Sequence, residues 1–259
     1  MTIAINLATP GLANRIKTYV SCLSRYDEVR TLKEADNYIF PEIKLASDYE
    51  QDTCDKFSNW RFHIDDETKL NEYKYIDLLY EKTPQYFIDK YLKIFNSLVI
   101  DADILKYVEE FTQKHNLSNK LGVHIRSWYC DRTSWHDNSL FEGYIDSLVT
   151  EEEQIFLCTD NKSVTEHFIK KYGDRIIVHE QEKYTHPHLA ESGHNDSIQS
   201  NVDAFIDLIL LSKCDTIVGT YASTFAEVAW WFSGCNANVI IPKPINISDE
   251  FNSKIFERL

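Results

Sequence analysis

The residues best suited to chemistry in this sequence stand where apolar runs end. Arg126 directly follows the run "LGVHI" at 121–125. A guanidinium there needs an anionic partner, because an unpaired charge is costly to bury. That partner is either a bound anion such as a phosphate or an internal carboxylate. Ser223 and Thr224 open the helical run "STFAEVAWWF", where free amides and the helix dipole attract anions; an ordinary helix cap without a ligand is the alternative.

Glycine-rich phosphate loops are excluded. The chain has only seven glycines, and neither GxGxxG nor GxxxxGK[ST] occurs. A phosphate would therefore be held by an arginine together with hydroxyls and the amides of a helix start. Thr224 and Glu227 have the spacing of a capping box, which predicts that a helix begins at this point.

Two further patterns favour structural roles. Asp101 and Asp103 have the DxD spacing of metal-bound diphosphate sites, but they also open a helical run, where acids favour the helix dipole. Histidines crowd one loop without regular spacing or a cysteine partner, so no metal site is predicted. These histidines are His179, His186, His188 and His194. The adjacent tryptophans Trp230 and Trp231 are expected to pack in the core.

Asp207 interrupts the apolar run "AFIDLILLSK". A carboxylate within such a helix is costly unless it is paired or faces solvent. The sequence leaves both possibilities open.

Composition narrows the class of protein. The 259 residues are 43% hydrophobic and 26% charged, enough for one large or two small cores. A formal charge of −14 and a pI near 5.0 exclude nonspecific binding to nucleic acid. Charges interrupt the most apolar stretch and no leader pattern is present, so we expect a cytoplasmic protein without a membrane span. Six scattered cysteines without a CxxC pair fit small buried hydrophobes.

Strand and helix patterns alternate from residue 120 onward. This alternation predicts a doubly wound parallel sheet covered by helices on both faces. The first half is expected to form a smaller α/β unit, with the boundary in "NLSNK" at 116–120. Ligands of open parallel sheets bind outside the carboxyl ends of the strands, and most predicted strands deliver polar or hinge residues at that end.

Four motifs in this order resemble those of the GDP-fucose-dependent fucosyltransferase superfamily, particularly its NodZ-like and α-1,6-fucosyltransferase branches. The motifs are "GLANR" at 11–15, "GVHIR" at 122–126, "FLCTD" at 156–160 and "DLILLSKCDTIVGTYASTF" at 207–225. The resemblance implies a GT-B-like α/β fold with two Rossmann-like domains facing a central cleft. Residues 1–118 would form the acceptor side and residues 119–259 would bind the nucleotide sugar. It also implies transfer without a metal or a cofactor beyond the donor substrate.

The resemblance assigns roles to particular residues. Arg126 would hold the donor diphosphate with Ser223 and Thr224, Asp207 would bind the guanine edge, and "GLANR" would contribute from the facing domain. The implied donor site comprises Asn14, Arg15, His124, Arg126, Thr159, Asp160, Asp207, Thr220, Ser223 and Thr224.

The catalytic base is the least defined part of the resemblance. Asp131 lies seven residues after His124, as the acid does in the NodZ-like pattern. His136 and Asp137 are competing candidates, because another branch places its acid farther along. Ala13 also replaces the usual second glycine of the first motif.

The expected function is therefore inverting transfer of fucose from GDP-fucose to a glycan hydroxyl. Two alternatives stay open within the same scaffold: a transferase for another UDP- or GDP-linked sugar, and a noncatalytic nucleotide-sugar or glycan-binding module. A third is a soluble α/β protein whose polar strand ends pair internally.

Overall fold

The computed structural model describes residues 2–7, 11–57, 83, 85–126, 137–180, 197–221 and 223–242. Within these ranges the chain forms two separate parallel sheets with helices packed against them. The α/β class and the parallel pairing predicted for the second half are confirmed.

The first half contains a four-stranded sheet of order β3-β2-β1-β4, and every pairing in it is parallel. Its strands are β1 (Ile3–Asn6), β2 (Glu28–Thr31), β3 (Lys44–Leu45) and β4 (Asp55–Phe57). The helices between them are α1 (Leu12–Leu23), α2 (Glu34–Ile39) and α3 (Asp48–Thr53).

Two longer helices, α4 (Gln85–Ser97) and α5 (Ala102–His115), connect the sheets, and a short 3-10 helix (Leu117–Asn119) follows them. The Asp101 side chain accepts hydrogen bonds from the backbone amides of Asp103 and Ile104, at 3.0 and 3.1 Å. Asp101 is thus the N-cap of α5, and the helix-start interpretation of the Asp101–Asp103 pair is confirmed.

The second half contains a five-stranded parallel sheet of order β7-β6-β5-β8-β9. Its strands are β5 (Leu121–Ile125), β6 (Ile155–Thr159), β7 (Ile176–Ile177), β8 (Thr216–Val218) and β9 (Asn238–Ile240). Its helices are α6 (Asn138–Leu148), α7 (Lys162–Tyr172), α8 (Ile198–Leu211) and α9 (Thr224–Phe232), with a 3-10 turn at Gly173–Arg175. Every residue of β5 and β6 is buried, as a sheet covered on both faces requires.

The strand order places a topological switch point between β5 and β8. From β5 the chain proceeds to β6 and β7 on one side, and β8 and β9 lie on the other. Helices on either side of such a point diverge and leave a crevice at the carboxyl ends of the strands. Arg126 follows β5 and Thr220 follows β8, so both stand at this crevice.

One apolar core is shared by the two halves. It includes Val20 of α1, Phe95 of α4, Leu208 of α8 and Trp231 of α9, each no more than 2% exposed. A second cluster lies beneath α6 and α7 and includes Phe141 and Phe168. Trp230 and Trp231 are both buried, so their expected core role is confirmed. The division into domains 1–118 and 119–259 stays a prediction.

None of the helices in the described ranges has the length and apolar composition needed to cross a membrane.

Candidate active site

Thr220 joins the ends of the two strands at the switch point. Its hydroxyl donates to the His124 carbonyl at 2.7 Å and accepts from the Arg126 amide at 2.8 Å. Its own carbonyl accepts from the Ser223 amide at 3.3 Å. One fully buried threonine therefore binds the residue after β5 and the residue before α9. The structure thus brings the backbone amides of the predicted residues Arg126 and Ser223 together around Thr220.

The Arg126 guanidinium pairs with Asp160. Strand register places them side by side, since Ile125 pairs with Thr159 and each charged residue comes next in its chain. Arg126 Nη1 lies 2.8 Å from Asp160 Oδ2, with the side chains 27% and 15% exposed. The internal salt bridge left open by the sequence is therefore present. A guanidinium carries five N–H donors and a permanent charge, so pairing with one carboxylate is compatible with a bound phosphate.

His124 has a packing role in the structure. It lies within β5, is 4% exposed, and its ring stacks on Phe225 with centroids 4.6 Å apart and planes 13° from parallel. Because Phe225 lies in the first turn of α9, this contact holds the helix start against the strand end that carries Arg126. The predicted donor-binding role of His124 stays a prediction.

The start of α9 meets the start of α1. Ser223 is the N-cap of α9, and its side chain accepts from the Phe225 amide at 3.4 Å. The next hydroxyl, that of Thr224, donates to Asn14 Oδ1 near the beginning of α1. A residue from the first half of the chain is thereby brought to the helix start where anion binding was predicted.

The predicted capping box is wrong. Ser223, not Thr224, is the cap, and Glu227 does not reach back to it. Glu227 is fully buried, and its Oε2 lies 2.7 Å from Lys17 Nζ, which is also fully buried. A long-range ion pair outcompetes the local cap because a carboxylate in the core requires a charged partner.

Arg15 has internal polar partners on two other helices. It is 3% exposed, and its Nη2 lies 2.8 Å from Asp36 Oδ1 and donates to Asn201 Oδ1 at the same distance. Asp36 in turn accepts from the Thr31 hydroxyl at 2.8 Å. Arg15 therefore links α1 to α2 and to α8, and its donor-binding role stays a prediction.

Asp207 is completely buried, so the solvent-facing interpretation of this residue is wrong. Its Oδ1 lies 3.1 Å from Nδ1 of His179, which follows β7 and is also buried. The Tyr107 ring packs against that imidazole, with centroids 5.3 Å apart. The guanine-edge role of Asp207 stays a prediction.

The remaining predicted site residues are Thr159, Asp131, His136 and Asp137. Thr159 is buried, and its hydroxyl accepts from the Asn161 amide at 3.3 Å, so it shapes the turn that carries Asp160. Asp131 and His136 lie outside the described residues. Asp137 accepts from the Ser139 amide at 2.9 Å and caps α6, which gives this competing base candidate a structural role.

The part of the chain that the structure describes contains no candidate metal site. Those residues contain no group of three or more His, Cys, Asp and Glu side chains arranged to hold an ion. Of the loop histidines, His179 is paired with Asp207, and the other three lie outside the described residues.

Sequence reasoning missed four residues that join the two halves around this site. They are Lys17, Asp36, Asn201 and Glu227. A signal was present for two of them, because Lys17 and Glu227 are charged residues within largely apolar helical runs. Asp36 and Asn201 carry no such signal, since both stand in polar surroundings.

The fold is that of a known class of sugar-transferring enzymes. Solved structures similar to this chain include fucosyltransferase NodZ from Bradyrhizobium, with a TM-score of 0.55, 15% identity, and coverage of 88% of this chain and 91% of that one. Another is NodZ α-1,6-fucosyltransferase soaked with GDP-fucose, with a TM-score of 0.54, 14% identity, and coverage of 90% and 92%. A mutant of Arabidopsis thaliana FUT1 in complex with GDP gives a TM-score of 0.57 and 14% identity over 95% of this chain and 71% of that one.

No protein-family model matches the sequence, and no curated protein matches it significantly. The chain thus has the fucosyltransferase fold, and the superfamily resemblance read from the four motifs is confirmed at the level of fold.

Proposed function

We propose that this protein is a glycosyltransferase that transfers fucose from GDP-fucose to a glycan hydroxyl with inversion and without a metal. The observation that carries the proposal is the convergence of Arg126, Ser223 and the Asn14–Thr224 contact at one switch point. These residues belong to three of the four sequence motifs. Proteins with the same fold have been co-crystallised with GDP or soaked with GDP-fucose.

The diphosphate of the donor would bind between Arg126 and the N-terminus of α9. Arg126 supplies a permanent charge, and the Ser223–Thr224 turn supplies hydroxyls and the positive end of a helix dipole. Asp160 holds the guanidinium at the strand end from the other side. This arrangement takes the place of the glycine loop that the sequence lacks.

The acceptor hydroxyl would lose its proton to Asp131, or to His136, while it attacks the anomeric carbon. The bond from that carbon to the diphosphate breaks on the opposite face, and the leaving GDP gathers negative charge. Arg126 and the α9 start interact more strongly with this developing charge than with the intact donor, which is the differential binding that catalysis requires. By analogy with one oxyanion-hole donor, Arg126 would lower the barrier by about 2.7 to 4 kcal/mol.

Transfer from GDP-fucose by an Arg126→Ala variant tests the proposal. We expect transfer to fall by about 10²- to 10³-fold, as for the loss of one oxyanion donor. Arg175→Ala is the matched control, because Arg175 is a half-buried arginine away from the switch point that donates to the backbone carbonyls of Glu153 and Thr150. Activity of the Arg126→Ala variant equal to that of wild type overturns the proposed role.

The base is tested separately. Asp131→Asn should retain GDP binding and lose turnover, because the amide cannot accept the acceptor's proton. If Asp131→Asn turns over normally and His136→Ala does not, the base is His136.

The donor is identified by the thermal stability of the protein with GDP-fucose, GDP-mannose, UDP-sugars and free nucleotides. A ligand at 100 times its dissociation constant stabilises the fold by about 2.7 kcal/mol. We expect the largest shift with GDP-fucose. Binding without transfer or donor hydrolysis would instead identify a noncatalytic binding module.

A further inference from the structure

Behind the candidate donor site lies a buried ion pair between the two halves of the chain. Lys17 of α1 and Glu227 of α9 approach to 2.7 Å, and both side chains are completely inaccessible to solvent. Neither residue belongs to the four motifs or to the proposed chemistry. Burying two charged side chains in the middle of two helices is costly, so the pair requires a structural or functional explanation.

The pair has a fixed relation to the Asn14–Thr224 contact. Lys17 lies three residues after Asn14 on α1, and Glu227 lies three residues after Thr224 on α9. Residues three apart share one face of a helix. The two contacts are therefore successive rungs between the same faces of α1 and α9, with the outer rung at the donor site and the inner rung in the core.

The carboxylate of the inner rung is also held from behind. Its Oε1 accepts from the indole nitrogen of Trp231 at 3.4 Å. Trp231 stacks on Phe95 of α4, with centroids 5.3 Å apart and planes 5° from parallel. The Glu227 carboxylate is therefore held by Trp231 as well as by Lys17.

An ion pair contributes differently from the apolar contacts around it. Apolar packing is nondirectional and tolerates sliding of one helix along another, whereas a buried charge pair has one favourable arrangement. Buried pairs add little net stability over an apolar pair of the same size, and their best-attested use is to fix register.

We propose that Lys17 and Glu227 are positioning residues that set the register of α1 against α9 and so place Asn14 and Thr224 for donor binding. The inference rests on the proposed function, because the donor site is what the outer rung serves. The pair acts through that rung and does not touch the donor.

The test is the affinity for GDP of the neutral double variant Lys17→Met/Glu227→Leu, measured by calorimetry. Removing both charges leaves no unpaired charge in the core, so the variant should fold. We expect GDP binding roughly tenfold weaker than in wild type, with a small fall in the unfolding midpoint because the Trp231 indole nitrogen loses its acceptor. Wild-type affinity in the folded double variant overturns the inference.

Coupling to the outer rung separates positioning from a general structural effect. Thr224→Val removes the hydroxyl that donates to Asn14, and in wild type we expect it to weaken GDP binding several-fold. In the neutral background it should add little, because the rung is already misplaced; contacting residues that act as a unit are non-additive. Full additivity of the two changes contradicts the inference.

Two controls complete the design. Lys171→Met/Glu142→Leu removes a partly exposed pair of equal length, 2.7 Å, between α6 and α7, and should leave GDP affinity unchanged. Glu227→Asp replaces the double variant as the test if the double variant does not fold. It keeps both charges but shortens the side chain that carries the carboxylate, so we expect an intermediate loss of GDP affinity. Wild-type affinity for Glu227→Asp would then overturn the inference. Failure of wild type to bind GDP would reject the proposed function itself, whereas binding by wild type and the neutral variant alike rejects only the positioning role.

Discussion

The Thr220 hydroxyl accepts a hydrogen bond from the backbone amide of Arg126, which lies 94 residues earlier in the sequence. Through the same oxygen it donates to the His124 carbonyl, so the side chain replaces the strand partner that β5 lacks where β8 has ended. The position of the candidate phosphate-binding arginine thus depends on a hydroxyl at the end of the neighbouring strand.

Substituting Thr220→Val should destabilise the protein. The variant keeps the shape of the side chain but leaves the Arg126 amide and the His124 carbonyl without this partner, at a cost of about 1–3 kcal/mol in the free energy of unfolding. Urea denaturation measures this loss. Thr220→Ser retains the hydroxyl and should stay close to wild type, and unchanged stability of Thr220→Val would contradict the prediction.

Gly219→Ala should disturb the approach of α9 to β8. A Cβ at this position would lie 2.7 Å from Ala226 Cβ and 2.9 Å from Ile241 Cδ1. We expect the free energy of unfolding to fall by about 1–3 kcal/mol, as for overpacked cores. At Gly143 of α6 an added methyl group would meet no atom within 4 Å, so Gly143→Ala should stabilise by about 0.5–1 kcal/mol. Thermal unfolding of both variants measures the contrast.

Asp207→Asn tests recognition of the guanine of the donor nucleotide. The amide retains an oxygen that can accept from His179 but loses the charge suited to the paired N–H donors of guanine. We expect GDP affinity to fall about tenfold, or ~1.4 kcal/mol, while the weaker binding of UDP is unchanged. Calorimetric titration with both nucleotides measures this.

His179→Gln is the companion variant to Asp207→Asn. If Asp207 recognises guanine, His179→Gln keeps the carboxylate and most of the GDP affinity. Equal losses of GDP affinity and of stability in both variants would show that Asp207 acts only through its buried histidine partner.

Thiol reactivity should follow burial. Desolvation raises the pKa of Cys22, Cys214 and Cys235 to about 12. At pH 8 roughly one in ten thousand of such thiols is ionised, and only the thiolate attacks an alkylating reagent. In native protein Cys54, which is half-buried at the end of α3, should be alkylated before Cys22 and Cys214, which are both buried. Mass spectrometry of digests locates the label, and early labelling at Cys214 would contradict the prediction.

The regular elements of the second half were predictable because they are buried on both faces. Such strands read as continuous apolar runs, and the helices between them keep one apolar stripe. The strands β2, β3 and β4 were not identified, since they span only two to four residues and carry charges at Glu28, Lys44 and Asp55. Their pairing with β1 and with each other, not their composition, makes them strands.

The site was predictable where strand ends determine it. Arg126, Asp160 and Thr220 follow consecutive neighbours in the sheet, so topology alone brings them together. The internal partners of Arg15 and Glu227 could not be predicted, because they lie 21 and 210 residues away and local spacing carries no information about such pairs.

The common core of the two halves has a consequence for dissecting this protein. Apolar faces of α1 and α4 are covered by α8 and α9, which come from the other end of the chain. A fragment that stops near residue 118 would present those faces to water, and the complementary fragment would do the same. Separately expressed halves should therefore aggregate or remain unfolded, and should regain solubility only when produced together.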